Sequence, residues 1–146
     1  MLENILIAAL LMAISTVIHT GGMIIVLKPI LNPFFIQQRL HPGLLHVLQI
    51  WRVLLVMFLA TTLEVVVWAY AYLSLGAIES FEDAVYFSMV TFTTVGYGDI
   101  VLHESWRLLS AFEAANGIIM FGWTTAIVIG VVTRIYFAEI GKSPDL

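Results

Sequence analysis

Three apolar stretches, residues 2–27, 50–75 and 106–137, each reach or exceed the roughly 20 residues needed to cross a bilayer core as a helix. A helix satisfies its own backbone N–H and C=O groups, which is the condition for placing an open-ended segment in lipid. Composition agrees, with 61% hydrophobic and 11% charged residues and a mean hydropathy of +1.01. An all-α membrane protein with three transmembrane helices in one compact domain is therefore expected.

The remaining residues exclude several function classes. The chain has no cysteine, so disulfide frameworks, thiolate metal sites and thiol catalysis are ruled out. His19, His41, His46 and His103 are scattered without metal-ligand spacing. The six Lys and Arg residues form no basic stripe, so no nucleic-acid partner is expected. Glu3 stands where a signal peptide would be positive, so residues 1–27 read as a retained transmembrane helix. No nucleophile, base and oxyanion-donor set is spaced for an enzyme, and no cofactor is expected.

Charge sets an orientation. Lys28, Arg39 and Arg52 flank the connector 28–49, and Arg134 and Lys142 flank the end of the third span. The positive-inside rule places both regions, including a short tail at 138–146, on the cytoplasmic side, with the N-terminus outside. The connector contains most of the prolines and reads as an interfacial helical piece. Residues 81–92 are apolar but too short to cross, which suggests a re-entrant half-helix running into "TFTTVGYGDI" at 91–100.

That stretch needs irregular backbone at membrane depth, tolerated only where it is buried in protein or lines water. Gly96 and Gly98 can take positive φ where Val95 and Tyr97 resist it, and such alternation turns successive carbonyls toward one side. "TTVGYGD" resembles the selectivity-filter signature of potassium channels, and residues 50–137 resemble the pore domain of their bacterial members: outer helix 50–75, pore helix 81–92, filter 94–99 and inner helix 106–137.

The resemblance implies a K⁺-selective channel of the cell membrane, with K⁺ as permeant ligand. Its ions would be held by the carbonyls of Thr94, Val95, Gly96 and Tyr97, the Thr94 hydroxyl and the Gly98 turn. One filter per chain implies a homotetramer. Membrane lipids are the other expected partners, and any ligand-sensing module would belong to a separate regulatory subunit. Asp99 is expected to brace the filter through Tyr86 or a neighbour, unless it is simply an exposed acid. Val90 occupies the position where several bacterial channels carry a glutamate behind the filter, and Glu113 is expected to replace it by bonding Thr91 or Thr93.

In the third span "GIIMFG", 117–122, resembles the glycine-bearing stretch of pore-lining helices, with Gly117 either a gating hinge or a packing residue. Ile118, Phe121 and Thr125 would line the cavity, and Asn116 either points into it or bonds a neighbouring helix.

Glu64 lies roughly 18 Å beyond Arg52 at 1.5 Å per residue, near midplane, where an ionisable side chain either seals a helix contact or senses protons. His19 is one conceivable partner. Trp51, Trp106 and Trp68 read as interfacial anchors. No span carries the periodic arginines of a voltage sensor. The first helix and connector are positioned to transmit tension, lipid state or a partner to the gate. Two other readings stand beside the channel: a non-conducting or regulatory membrane subunit, disfavoured by intact filter glycines, and a weakly selective cation channel, disfavoured by Tyr97.

Overall fold

The computed structural model describes residues 1–31 and 42–140. Four α-helices follow one another: α1 (Leu2–Leu31), α2 (Pro42–Ser74), α3 (Phe81–Phe92) and α4 (Arg107–Ile140). Among the described residues there is no strand. Helices α1, α2 and α4 are each long and apolar enough to cross a membrane, and α3 is not. The protein is a multi-pass membrane protein.

The short helix has the expected bounds, and local chemistry accounts for its start. Ser80 caps it, its hydroxyl accepting from the Asp83 N–H at 3.4 Å, and Glu82 and Asp83 place negative charge in the first turn. Before it, α2 ends through Gly76, whose φ of +64° lets the Gly76 and Ala77 N–H groups bond back to Leu73 and Tyr72 at 3.1 and 2.9 Å.

The long helices exceed their expected limits. Helix α1 continues to Leu31 rather than stopping at residue 27. Helix α2 begins at Pro42 rather than at residue 50, so 42–49 belong to the outer helix and not to a connector. Proline suits the first helical position, where its missing N–H would have had no partner. Helix α4 starts at Arg107 and runs on to Ile140. The expected interfacial piece, with Arg39 and His41, falls largely on 32–41, and Lys142 on 141–146, outside the described residues.

Helix α3 is wedged between α2 and α4, while α1 packs along the same two helices. The interior divides into two apolar clusters. The larger gathers Leu11 of α1, Trp68 and Tyr72 of α2, Phe87 and Phe92 of α3, and Leu109 of α4. The smaller gathers Val26, Val53, Met57, Ile127 and Val131 toward the other end of the bundle. At Gly22 α1 lies close on α2: a Cβ there would stand 3.3 Å from the Ala60 Cβ.

Candidate functional site

Residues 93–99 leave the C-terminal end of α3 as irregular backbone. Gly96 and Gly98 have φ of +57° and +79°, and Thr94 joins them at +60°, the one non-glycine with positive φ among the described residues. Positive and negative φ therefore alternate from 94 to 98, extending the pattern expected from the glycines by one residue. A β-branched side chain at positive φ costs about 1–3 kcal/mol, which the surrounding contacts must offset.

Those contacts begin at Val90. Its carbonyl accepts from the Val95 and Gly96 N–H groups at 3.0 and 3.3 Å, and the Thr94 N–H bonds Thr91 O at 2.9 Å. Val90 thus supports the loop with its backbone. Among the described residues, no intrachain backbone hydrogen bond outside the helices ends on a carbonyl of 94–98. Alternating handedness aims such carbonyls to one side, where together they can replace the water around a dehydrated cation.

At the far end of the loop from α3, the Tyr86 hydroxyl donates to Asp99 Oδ2 at 2.6 Å. The bond lowers the Asp99 carboxyl below its ordinary value, chiefly because Tyr86 stabilises the charged form. The same bond raises the Tyr86 phenol. Asp99 is therefore tied to α3 rather than free.

Glu113 is wholly buried, as expected of a bracing residue, but its partners differ from Thr91 and Thr93. The Tyr72 hydroxyl of α2 lies 2.7 Å from Glu113 Oε2, and Ser88 of α3 meets Oε1. Thr93 is otherwise engaged, its hydroxyl donating to Met89 O at 2.7 Å. Ser88 also lies 2.9 Å from Val65 O. A serine hydroxyl has one hydrogen and a carbonyl only accepts, so the hydrogen count closes when the Glu113 carboxyl carries a proton and donates to Ser88.

Gly117 makes the tightest contact of α4. A Cβ there would stand 1.9 Å from the carbonyl oxygen of Phe92, so only glycine allows the end of α3 to reach this helix. Of the two roles open from the sequence, packing has this direct basis. Asn116 is also fully buried. Neither of its amide atoms has a hydrogen-bond partner among the described residues. Ile118, Phe121 and Thr125 lie on the opposite, exposed side of α4. The five residues grouped as cavity-lining therefore divide into two faces, as a helical period of 3.6 residues requires.

Trp68 departs from its expected interfacial place. It is buried, not interfacial, and its indole N–H donates to Ser15 at 3.3 Å. Trp51 is 67% exposed and retains the features of an anchor. Tyr72, Ser88 and Ser15 are not legible as partners in the sequence, because an isolated hydroxyl in an apolar run carries no signal of what it meets. Nor does the sequence give the place of Arg107, at the start of α4 beside Leu102 O and Glu104.

The family model described as "Ion channel" matches residues 49–134, more than half of the chain. The chain belongs to this ion-channel family. Within it, the match begins near the start of the expected pore domain and leaves α1 outside. The voltage-gated potassium channel Kch of Escherichia coli (strain K12) is 41% identical over 66 residues, covering 44% of this chain and 16% of that protein. The chain thus spans under a fifth of the length of this relative. Together the two findings support a pore domain of the potassium-channel family. No solved structure matches the chain.

Proposed function

We propose that four copies of this chain form a K⁺-selective channel that conducts passively through the backbone carbonyls of residues 94–98. The observation that carries this reading is the alternation of φ at Thr94, Gly96 and Gly98 at the end of a half-helix. Ordinary turns do not need three positive-φ residues in alternation, and a row of carbonyls free of backbone partners is what coordination of a dehydrated cation requires. The C-terminal end of α3 adds the negative pole of its macrodipole on the same side.

The tetramer is supported by what one copy leaves open. Tyr97 and Val95 are 72% and 51% exposed, as are many apolar residues of α4. A cleft of about 380 Å³ lined by Thr91, Thr94, Gly96, Ala111 and Ala114 lies beside the loop, where a neighbouring copy can seat. A single chain has one row of carbonyls, whereas coordination in the manner of potassium channels uses rings of them. The distribution of Lys28, Arg52 and Arg134 supports a cytoplasmic side at the end of α1, the start of α2 and the end of α4.

The deciding experiment is K⁺ against Na⁺ flux from liposomes carrying the purified protein, with Gly96→Ala as control. K⁺-selective flux, lost in the variant, is expected. Equal K⁺ and Na⁺ flux would mean a weakly selective channel, and no flux from correctly inserted tetramers at any pH would favour a non-conducting subunit.

A further inference from the structure

Between the two apolar clusters one polar layer crosses the bundle, and His19 of α1 is at its centre. Its Nδ1 lies 2.9 Å from Glu64 Oε1 on α2, and its Nε2 lies 3.2 Å from Thr124 Oγ1 on α4. Neither His19 nor Glu64 has any exposed side-chain surface. The imidazole also packs on Trp123, with ring centroids 5.2 Å apart. One side chain of α1 therefore joins the two long helices of the family-matched region, and α1 itself lies outside that match.

Two further observations set this layer apart from ordinary packing. Thr16, Thr20, Thr62 and Thr125 each donate their hydroxyl to the carbonyl four residues back in their own helix. Thr124 instead turns to His19. In addition, Glu64 Oε2 is buried with no hydrogen-bond partner, so the carboxyl is only half satisfied.

We propose that Glu64, His19 and Thr124 form a proton-dependent clasp that holds α1 against α2 and α4. The imidazole and carboxyl together are uncharged when they share one proton, either as neutral His19 with protonated Glu64 or as an imidazolium–carboxylate pair. A second proton leaves a net positive charge and loss of the shared proton leaves a net negative one. Either charge is strongly disfavoured in an apolar interior. Parting the helices admits water to both groups, including the unpartnered Oε2, and relieves that cost. The clasp is tightest at intermediate pH and loosens on both sides.

Among the described residues, the charged groups whose partners are known are engaged elsewhere or exposed. Glu64 is the titratable group bonded to His19 from α2, and α4 presents Thr124 and Trp123 to it. Arg52 is held at Val26 O, and Glu113 and Tyr72 bond each other. Glu3, Lys28 and Arg134 are exposed. The clasp does not depend on the channel reading above.

The test uses the full chain, which has no native cysteine, with one spin label at Ile18→Cys in the half-buried groove between α1 and α2. The label's mobility in liposomes is followed from about pH 4 to about pH 9. Mobility is expected to rise at both ends of the range in the parent. It should rise at the acid end alone in Glu64→Gln and be pH-independent in the His19→Gln/Glu64→Gln double variant. A flat profile in the parent, or a parent-like profile in the double variant, would overturn the clasp. Should the double variant not assemble, retention of the alkaline rise in Glu64→Gln alone would do the same. K⁺ flux recorded on the same liposomes separates the two readings: if no flux is seen, the channel reading fails while the label still decides the clasp.

Discussion

The Tyr72 hydroxyl and the Glu113 carboxyl meet at 2.7 Å inside the bundle, joining the outer helix to the inner helix directly behind α3. Ser88 of α3 bonds the same carboxyl, so one buried group ties the three helices that position residues 93–99. Buried polar groups stabilise a structure only when their partners are complete, and here they are.

Glu113→Gln is expected to fold with little loss. An amide donates to Ser88 through nitrogen and accepts from Tyr72 through oxygen, as the protonated carboxyl does. Glu113→Ala leaves the buried Tyr72 hydroxyl without its acceptor and opens a void, while Ser88 keeps Val65 O, at a cost of about 2–5 kcal/mol. Denaturation in detergent micelles measures the difference. Equal losses for Gln and Ala would disprove the protonated arrangement.

At Gly117, alanine is expected to lower stability by about 1–3 kcal/mol or more, because its Cβ would meet the Phe92 carbonyl, a backbone atom that cannot rotate away. Gly122→Ala in the same helix meets nothing within 4 Å and should be tolerated, since alanine favours a helix by about 1 kcal/mol. Yield of folded protein and its melting temperature are the readouts. A harmless Gly117→Ala would remove the packing role and leave the hinge.

Tyr86→Phe removes the donor that lowers the Asp99 carboxyl, so that carboxyl should titrate at higher pH in the variant. A lowered folded pKa stabilises the fold above the ordinary carboxylate range, and this contribution is lost as pH falls through the folded value. The raised Tyr86 phenol behaves oppositely: its contribution is complete below about pH 10 and disappears as pH rises through the folded value. Carbon NMR of labelled aspartate, in parent and variant, checks both limbs. An unchanged Asp99 titration would mean that the bond does not form in solution.

The bounds of α3 and the positive φ of Gly96 and Gly98 were legible because each depends on neighbours in the chain: a Ser80 cap, an acidic first turn and side chains absent where φ must be positive. The pairing of Asp99 with Tyr86 was also within reach, because the two residues lie on one helix and the loop that leaves it. Thr94 was less so. Nothing in its chemistry favours positive φ, and the bonds made by Val95 and Gly96 to Val90 impose it.

Hydropathy, glycine placement and charge distribution thus determined a three-helix membrane protein with an irregular loop behind a half-helix, since these follow from solvent transfer and backbone sterics. Which buried polar groups would meet was decided only by tertiary structure. His19 and Glu64 are far apart in the chain, as are Tyr72 and Glu113, and the rotation of each long apolar helix is set by its packing partners. That rotation put Asn116 and Gly117 inside, left Ile118 and Phe121 outside, and exchanged the expected threonine partners of Glu113 for Ser88 and Tyr72. Helices apolar on nearly every face carry little amphipathic pattern from which such a rotation can be read.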